Sequence, residues 1–464
     1  MNIRDDFILK DINEGYVVGG LVRDYFVAEF NKQKIKTCDR DIAIKGAEAF
    51  AKNLAAEFDA TFITLDDINK IYRVVLPDKE NYIDISELRG NTIEEDLQER
   101  DFSINAIAFD LSNDEFIDFT GGIKDIQDKI LRAIKENNFI DDPLRILRAF
   151  RFMATLGFEF DDNLIQIINN NKFLLCLPAK ERVQDEIMKL FGGKYASKAL
   201  LKMYETGVLE LIFPCVSEMA KVPANTHHHL DLIHHVIETV RQIEIEYENT
   251  DENSEVKQHL DSVDFGGYPR INHIKLAGFL HDIGKFSTWT IEAGGRHRFI
   301  KHDIVGAELV VPLLKKLKFS NKQIEYVQEM IRQHIYPSNV VSVPTIDNKI
   351  LMRYVRKMED NAIDNIILAK ADRLSAQGPA VTKAMTENNI IGLNHLLNFY
   401  LKVKPTLKPL PKLLDGNEIM EITGLNQSPK LGEIIEQLHE AQLNQEVNTR
   451  YEAVEFVKNL FKKL

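Results

Sequence analysis

Between Tyr16 and about Phe119 the chain alternates short β-rich runs with turn or helical stretches. The runs are YVVGG, RDIAIKG, ATFITL, YRVVL, NYIDIS and INAIAFD. Beyond Asp141 this texture gives way to long helical periodicity, with DPLRILRAFRFMATLGF and ERVQDEIMKLF as clear amphipathic cases. The first region therefore predicts a small α/β layer and the second a mostly helical body. One hydrophobic core does not serve 464 residues, so several domains are expected. Gly192-Gly193 closes one helix, and EIEYENTDENSE, 244 to 255, reads as an exposed helix end or loop. The proline-rich KPTLKPLPK, 404 to 412, reads as a linker before a C-terminal helical unit.

Bulk properties narrow the function classes. With 44% hydrophobic and 28% charged residues and 14 prolines, the chain is a folding one, not a disordered one. Cys38, Cys176 and Cys215 are far apart and form neither a disulfide framework nor a CxxC metal motif, which predicts a reducing compartment. The segment MNIRDDFILKDINEG lacks the apolar core of a signal peptide, and no apolar run approaches a membrane span, so a cytoplasmic protein without membrane attachment is expected. A net charge of −13 excludes an indiscriminately basic nucleic-acid binder. Local basic tracks remain: Arg145, Arg148 and Arg151; Lys315, Lys316 and Lys318; Lys402, Lys404, Lys408 and Lys412. Taken alone, each is more often a solvated surface than a binding site.

Two constellations carry chemistry. In VVGGLVRD, 17 to 24, an apolar strand meets Gly19 and Gly20 and then a helix carrying Arg23 and Asp24. Glycines there let backbone N–H groups approach a triphosphate, and a helix N-terminus favours anions. Downstream, CDRDIAIKG sets Asp39 and Asp41 two residues apart, on one face of a strand, where both carboxylates can share Mg²⁺. An Asp-x-Asp pair is common and means little alone; behind GGLVRD it suggests metal-assisted nucleotidyl transfer. Asp84, in YIDIS, is a candidate third carboxylate. The second constellation is histidine-rich, for nearly all of the thirteen histidines fall between 227 and 334. It runs through HHHLDLIHHVIETV, GFLHDIGK, KHDIVGAE, MIRQHIYP and AKADRLSA. Imidazole and carboxylate are the ligands that divalent metals use in hydrolysis.

In order, GGLVRD, DRDIAIKG, ERDFSINAIAFD (99 to 110), DFTGGIKDIQDKILRAI (118 to 134) and DPLRILRAFRF (142 to 152) resemble the motifs of class II tRNA nucleotidyltransferases and bacterial poly(A) polymerases. The resemblance covers the first 200 residues. It implies a multidomain α+β protein: a nucleotidyltransferase head with a polymerase-β-like sheet at 1–138, a helical neck at 139–200, a helical body with a metal domain at 201–385 and a helical tail at 386–464. It further implies that Gly20 and Arg23 hold the triphosphate, with Gly19 and Asp24 beside them, that Asp39 and Asp41 hold Mg²⁺, and that Arg100, Asp101 and Asn105 serve the ribose and phosphate region. Asp142 and Arg145 match the family's base-reading Asp-x-x-Arg, with Arg148 and Arg151 in the same pocket. Their three-residue recurrence puts the four on one drifting helix side, while Leu144, Leu147 and Phe150 supply an apolar stripe. Arg offers parallel donors and Asp acceptors, a pair able to read the edge of C or A.

The histidine-rich segment resembles the HD phosphohydrolase superfamily. His235, His281, Asp282 and Asp372 match its metal ligands, and His302 and His334 match the extra histidines of two-metal members. That implies a divalent metal of unspecified identity and hydrolysis of a phosphoester. His227, His228 and His229 are candidate substrate contacts. Residues 405 to 464 resemble the tail of CCA-building enzymes.

The expected reaction is transfer of CMP, and AMP where ATP is accepted, to the 3′ end of tRNA. Two departures qualify the resemblance. The connection between Arg89 and Glu94 leaves almost no room for the flexible loop associated with addition of the terminal A, which resembles the CC-adding subtype. Glu99 stands where a second Arg is common. Poly(A) polymerase, an HD phosphohydrolase with a relic nucleotide-binding head, and a non-catalytic RNA-binding module are the competing readings.

Overall fold

A computed structural model describes residues 3–32, 39–343, 345–407, 410–444 and 446–462. The chain divides into two compact units, one comprising Met1–Val216 with Lys316–Phe319, the other Ser217–Lys315 with Ser320–Leu464.

The first unit begins with the α/β layer that the β-rich runs predict. Its elements are β1 (Tyr16–Val18), α1 (Gly20–Asn31), β2 (Arg40–Ile44), α2 (Ala47–Glu57), β3 (Thr61–Asp66), β4 (Ile71–Val75), β5 (Tyr82–Glu87), α3 (Ile93–Gln98), β6 (Ala108–Asp110) and β7 (Glu115–Ile117). They form a seven-stranded sheet in the order β3-β4-β5-β2-β1-β6-β7, mixed because β2 and β5 run parallel while the other neighbours are antiparallel. Alternation decides the faces: Val17, Ile42, Ile83 and Ile85 are fully buried, while Val18, Ala43 and Ala108 pack against Ile93 and Leu97 of α3. The edge strand β7 has too short an apolar signature to stand out in the sequence; its pairing with β6 creates it.

After α4 (Gly122–Asp128) and α5 (Asn137–Asp141) comes α6 (Leu144–Leu156). Leu144, Leu147 and Phe150 are buried, and emptying the Phe150 position would cost about 3–5 kcal/mol. Asp142 corrects one expectation, since it precedes the helix instead of sharing its arginine face. It sits before Pro143, whose ring disfavours helical backbone at the preceding residue, and adopts φ −132°, ψ 90°.

The second unit is helical. Helix Leu232–Asn249 absorbs the first half of the acidic stretch at 244–255, and Glu244 is buried there, so only the turn after Asn249 is the exposed loop expected. Three C-terminal helices, Gly416–Thr423, Pro429–Leu443 and Arg450–Phe461, bury Ile419, Ile434, Leu438, Ala453 and Val457 against one another. Asp415 and Thr449 start the first and third through reciprocal capping with Glu418 and Glu452. No helix of the described residues is long and apolar enough to cross a membrane.

Candidate functional site

Gly19 turns the chain from β1 into α1 at φ +76°, a backbone that side-chain-bearing residues rarely adopt. A Cβ at this point would lie 3.2 Å from Asp41 Oδ2 and 3.6 Å from Arg100, so glycine lets a carboxylate and a guanidinium come close to the head of the helix. Val18 is the register partner of Asp41 on β2, which sets Asp41 beside that turn. The result is a cavity of about 690 Å³ lined by Gly19, Gly20, Arg23, Asp39 and Asp41 on one side. Arg145, Arg148, Arg151 and Phe152 of α6 line it as well, together with Arg100, Asp101, Asn105, Asp84 and Asp142. Asp24 is the one nucleotide-site candidate that does not line it; its Oδ1 accepts from Arg23 Nε at 2.8 Å.

The carboxylates differ in their surroundings. Burial, then the neighbouring Asp84, pushes the Asp41 carboxyl up to about 6. Asp39 accepts a hydrogen bond from the Tyr82 hydroxyl at 2.9 Å. Asp84 is clamped by the Arg73 fork at 2.7 and 2.8 Å, so it bounds the site as half of an ion pair.

On the cationic side each arginine is aimed by an acceptor. Arg23 donates to Asn105 Oδ1 at 3.0 Å, Arg100 to Asp96 at 2.9 Å, Arg148 to Asp101 at 2.7 Å and Arg151 to Glu186 at 2.7 Å. Asp101 is enclosed, and although burial opposes its charge, Arg148 and Asn105 hold its carboxyl down to about 2. Arg145 donates to the Glu99 carbonyl at 3.0 Å, and Arg182 donates to Asp142 Oδ2 at 2.9 Å. Three guanidinium groups surround the Phe152 ring: Arg151 at 4.2 Å, Arg23 at 5.0 Å and Arg148 at 5.7 Å. Sequence reasoning missed Arg73, Tyr82, Phe152, Arg182 and Glu186. Only Phe152 carried a signal, in its place between Arg151 and the end of α6.

The connection from β5 to α3 occupies residues 88–92, with Gly90 at φ +83°. The Glu99 carboxylate pairs with Lys135 at 3.3 Å.

In the second unit, His235 lies on helix Leu232–Asn249, His281 and Asp282 directly follow helix Arg270–Leu280, and Asp372 lies on helix Ala362–Ser375. Ligand atoms of these four lie within 4.8 Å of one another, and Asp282, His302 and His334 form a second such group. Asp282 is shared: its Oδ2 is 3.2 Å from both His235 Nε2 and His281 Nε2, and its Oδ1 is 3.3 Å from His302 Nε2. The far nitrogens are already committed. Nδ1 of His281, His302 and His334 faces the backbone carbonyls of Gly278, Phe299 and Ile331 at 2.8, 2.8 and 2.6 Å. A ring nitrogen that donates to a carbonyl leaves Nε2 as a lone-pair donor, the tautomer that a metal requires. His302 and His334 then bring two such nitrogens to 3.2 Å, and the buried Asp282 carboxylate belongs to both groups. A cation satisfies all of these groups at once.

Of the three neighbouring histidines, His228 packs edge-on to His235 at 4.4 Å and reaches Lys285 at 3.2 Å, whereas His227 is exposed and His229 accepts from Gln377 N at 3.3 Å. Lys285 itself pairs with Asp282 at 2.5 Å. Elsewhere, Lys404 pairs with Glu255 at 2.8 Å, and Cys176 and Cys215 are free thiols. Lys408 and Cys38 lie outside the described residues.

Known protein families match segments of both units. Residues 15–132 match the poly A polymerase head domain, 157–219 a probable RNA and SrmB-binding site of polymerase A, and 232–377 the HD domain. The A-adding tRNA nucleotidyltransferase of Deinococcus radiodurans is 30% identical over 448 residues, covering 95% of this chain and 94% of its own. The CC-adding tRNA nucleotidyltransferase of Thermus thermophilus is 27% identical, covering 97% and 95%. Among solved structures, a Thermotoga maritima CCA-adding enzyme complexed with tRNA is similar in fold, with a TM-score of 0.54, 20% identity and coverage of 96% and 91%.

Proposed function

The chain belongs to the tRNA nucleotidyltransferase family, and from that premise we propose that it adds nucleotides from CTP to the 3′ end of tRNA with release of pyrophosphate. The observation that carries this reading is one cavity that brings Asp39 and Asp41 together with Arg23, Arg145, Arg148 and Arg151. A nucleoside triphosphate with its cations needs both signs of charge in one place.

Asp39 and Asp41 are the residues that would hold Mg²⁺, completed by triphosphate oxygens, since Mg²⁺ is usually bound by one or two carboxylates plus substrate phosphates. The bound ions supply charge neutralisation at the α-phosphate and a more acidic 3′-hydroxyl. The chain's own residues do the rest. The backbone at Gly19 and Gly20 and the Arg23 guanidinium bind the phosphates, and Asn105 and Asp101 fix Arg23 and Arg148. The tRNA 3′-hydroxyl loses its proton to solvent, its oxygen forms a bond to the α-phosphorus, the α–β phosphoanhydride bond breaks, and pyrophosphate leaves. Asp142 and Arg145 read the base edge, with Arg182 holding Asp142 in place.

The short connection between β5 and α3 supports CC addition. The identity to the A-adding relative supports a second reading, addition of the terminal A alone. Sequencing the products separates them. A CC-adding chain extends tRNA lacking its CCA end by two C with CTP and stops; an A-adding chain leaves that RNA unchanged and extends only tRNA ending in CC, with ATP. The second unit fits a divalent-metal phosphoester hydrolase, with His235, His281, Asp282, Asp372, His302 and His334 as ligands, and the work of the whole protein is cytoplasmic tRNA processing.

A further inference from the structure

The sequence offers three acids to the first site, Asp39, Asp41 and Asp84, and the sheet treats them unequally. Asp41 and Asp84 are register partners across the parallel pairing of β2 and β5, and both line the same cavity. Neighbouring strands lie about 4.8 Å apart, a distance over which two carboxylates can share one ion. Arg73 stands one strand further on, as the register partner of Asp84 on β4. It donates from Nε to Asp84 Oδ1 at 2.7 Å and from Nη2 to Oδ2 at 2.8 Å, so the fork engages both oxygens. A bidentate, charge-assisted pair of this kind fixes direction as well as charge.

The same guanidinium lies 3.9 Å from the centre of the Tyr82 ring, and the Tyr82 hydroxyl donates to Asp39 Oδ1 at 2.9 Å. Neither Arg73 nor Tyr82 lines the cavity, so the hold of Arg73 on the site passes through Asp84 and Tyr82. Among the described residues, the groups of three or more metal-ligating side chains lie in the second unit; Asp39, Asp41 and Asp84 do not form one. The number of free carboxylates decides what a cation needs. Two leave Mg²⁺ dependent on triphosphate oxygens, whereas a third lets Mn²⁺ or Ca²⁺ bind to protein alone, because affinity for such ions rises with the charge and number of oxygen ligands.

We propose that Arg73 is a positioning residue that withholds Asp84 from the metal site, so that the first unit holds its cations firmly only together with the triphosphate. The inference rests on the reading of Asp39 and Asp41 as the Mg²⁺-holding pair, and it gives the Arg73–Asp84 ion pair a role in the order of binding.

The test uses the full chain carrying Asp282→Asn as the parent, so that the cluster of the second unit has lost its shared ligand. Mn²⁺ alone is titrated by calorimetry without nucleotide. Arg73→Met removes the fork while its thioether still covers the Tyr82 ring, and it is expected to bind Mn²⁺ at least about tenfold tighter than the parent. Adding Asp84→Asn returns the affinity to that of the parent. An ion pair that only braces the sheet gives the reverse order, since its loss loosens the site and weakens binding. Extension of tRNA with Mg²⁺ supplies a second readout: Ca²⁺ inhibits Arg73→Met at about tenfold lower concentration than the parent, and the double variant at the parent's concentration. Should Arg73→Met not fold, Arg73→Lys, which keeps the charge without the fork, shows the same gain in Mn²⁺ affinity at smaller size. An Mn²⁺ affinity unchanged or lowered by loss of the fork, or a gain that survives Asp84→Asn, overturns the proposal. Failure of the transferase reading looks different: the Mn²⁺ affinities follow the expected order, and the parent adds neither C to tRNA lacking its CCA end nor A to tRNA ending in CC.

Discussion

Asp41 and Asp84 are register partners across the parallel pairing of β2 and β5, and the Arg73 fork holds Asp84 while no such fork holds Asp41. Asp41 is therefore a half-buried acid of the first unit that no arginine fork neutralises among the described residues. Burial and Asp84 raise its carboxyl from 3.8 to about 6. Between these pH values the unfolded chain has released the proton and the folded chain retains it, so this group subtracts stability as pH rises from about 4 to about 6. Above that window the ionised carboxylate is a standing cost that a divalent cation offsets.

Mg²⁺ is accordingly expected to raise the melting temperature of the first unit at pH 7.5 and to do so much less at pH 5. In Asp41→Asn the difference between the two pH values disappears. Thermal melts of parent and variant, with and without Mg²⁺, check this; an equal Mg²⁺ effect at both pH values in the parent contradicts it.

Asp142 and Arg145 do not pair with each other; Arg182 and the Glu99 carbonyl hold them separately. Arg145→Ala removes a donor to the base and is expected to lower discrimination between CTP and ATP by about 10- to 100-fold, the range of a bidentate base contact. Arg182→Ala breaks an ion pair with a 57% exposed arginine, worth roughly 0.2–1 kcal/mol, and is expected to lower discrimination by less than about fivefold. Competition between the two nucleotides in single-turnover extension measures both, and equal losses refute the assignment of roles.

Asp282 touches both ligand groups of the second unit. In an Asp41→Asn background, calorimetry is expected to find two Mn²⁺ per chain in the parent, one in His334→Ala and none of comparable affinity in Asp282→Asn. Two ions retained by Asp282→Asn would show that the groups do not share this carboxylate.

What could be read in the sequence was whatever neighbours in the chain determine. The strand, glycine turn and helix at 16–31 follow from local hydrophobicity and from Gly19, and Asp39, which precedes β2, lines the same cavity as Asp41 within it. The histidines grouped around Asp282 were picked out by the resemblance to the HD superfamily, and the structure brings their ring nitrogens together. Contacts between distant segments were not legible. Arg73 reaches Asp84 across a strand pairing, Arg182 reaches Asp142 from α8 (Lys180–Gly192, after α7, Asp162–Asn171), and Glu186 reaches Arg151 from that same helix. None of these partners has a spacing that marks it. Asp142 was misplaced onto the helix because the three-residue recurrence outweighed Pro143, whose steric effect on the preceding residue prevailed.

The proposed reaction requires the Asp41 carboxylate most in the transfer step, with the grip on the nucleotide left mainly to the arginines. Single-turnover extension of tRNA lacking its CCA end, with labelled CTP and Mg²⁺, tests it most directly when run beside a CTP-binding titration. The expectation is that the parent adds C, and that Asp41→Asn loses at least about 10³-fold in rate while binding CTP within a few-fold of the parent through its arginines. Extension at an undiminished rate by Asp41→Asn would contradict the claim.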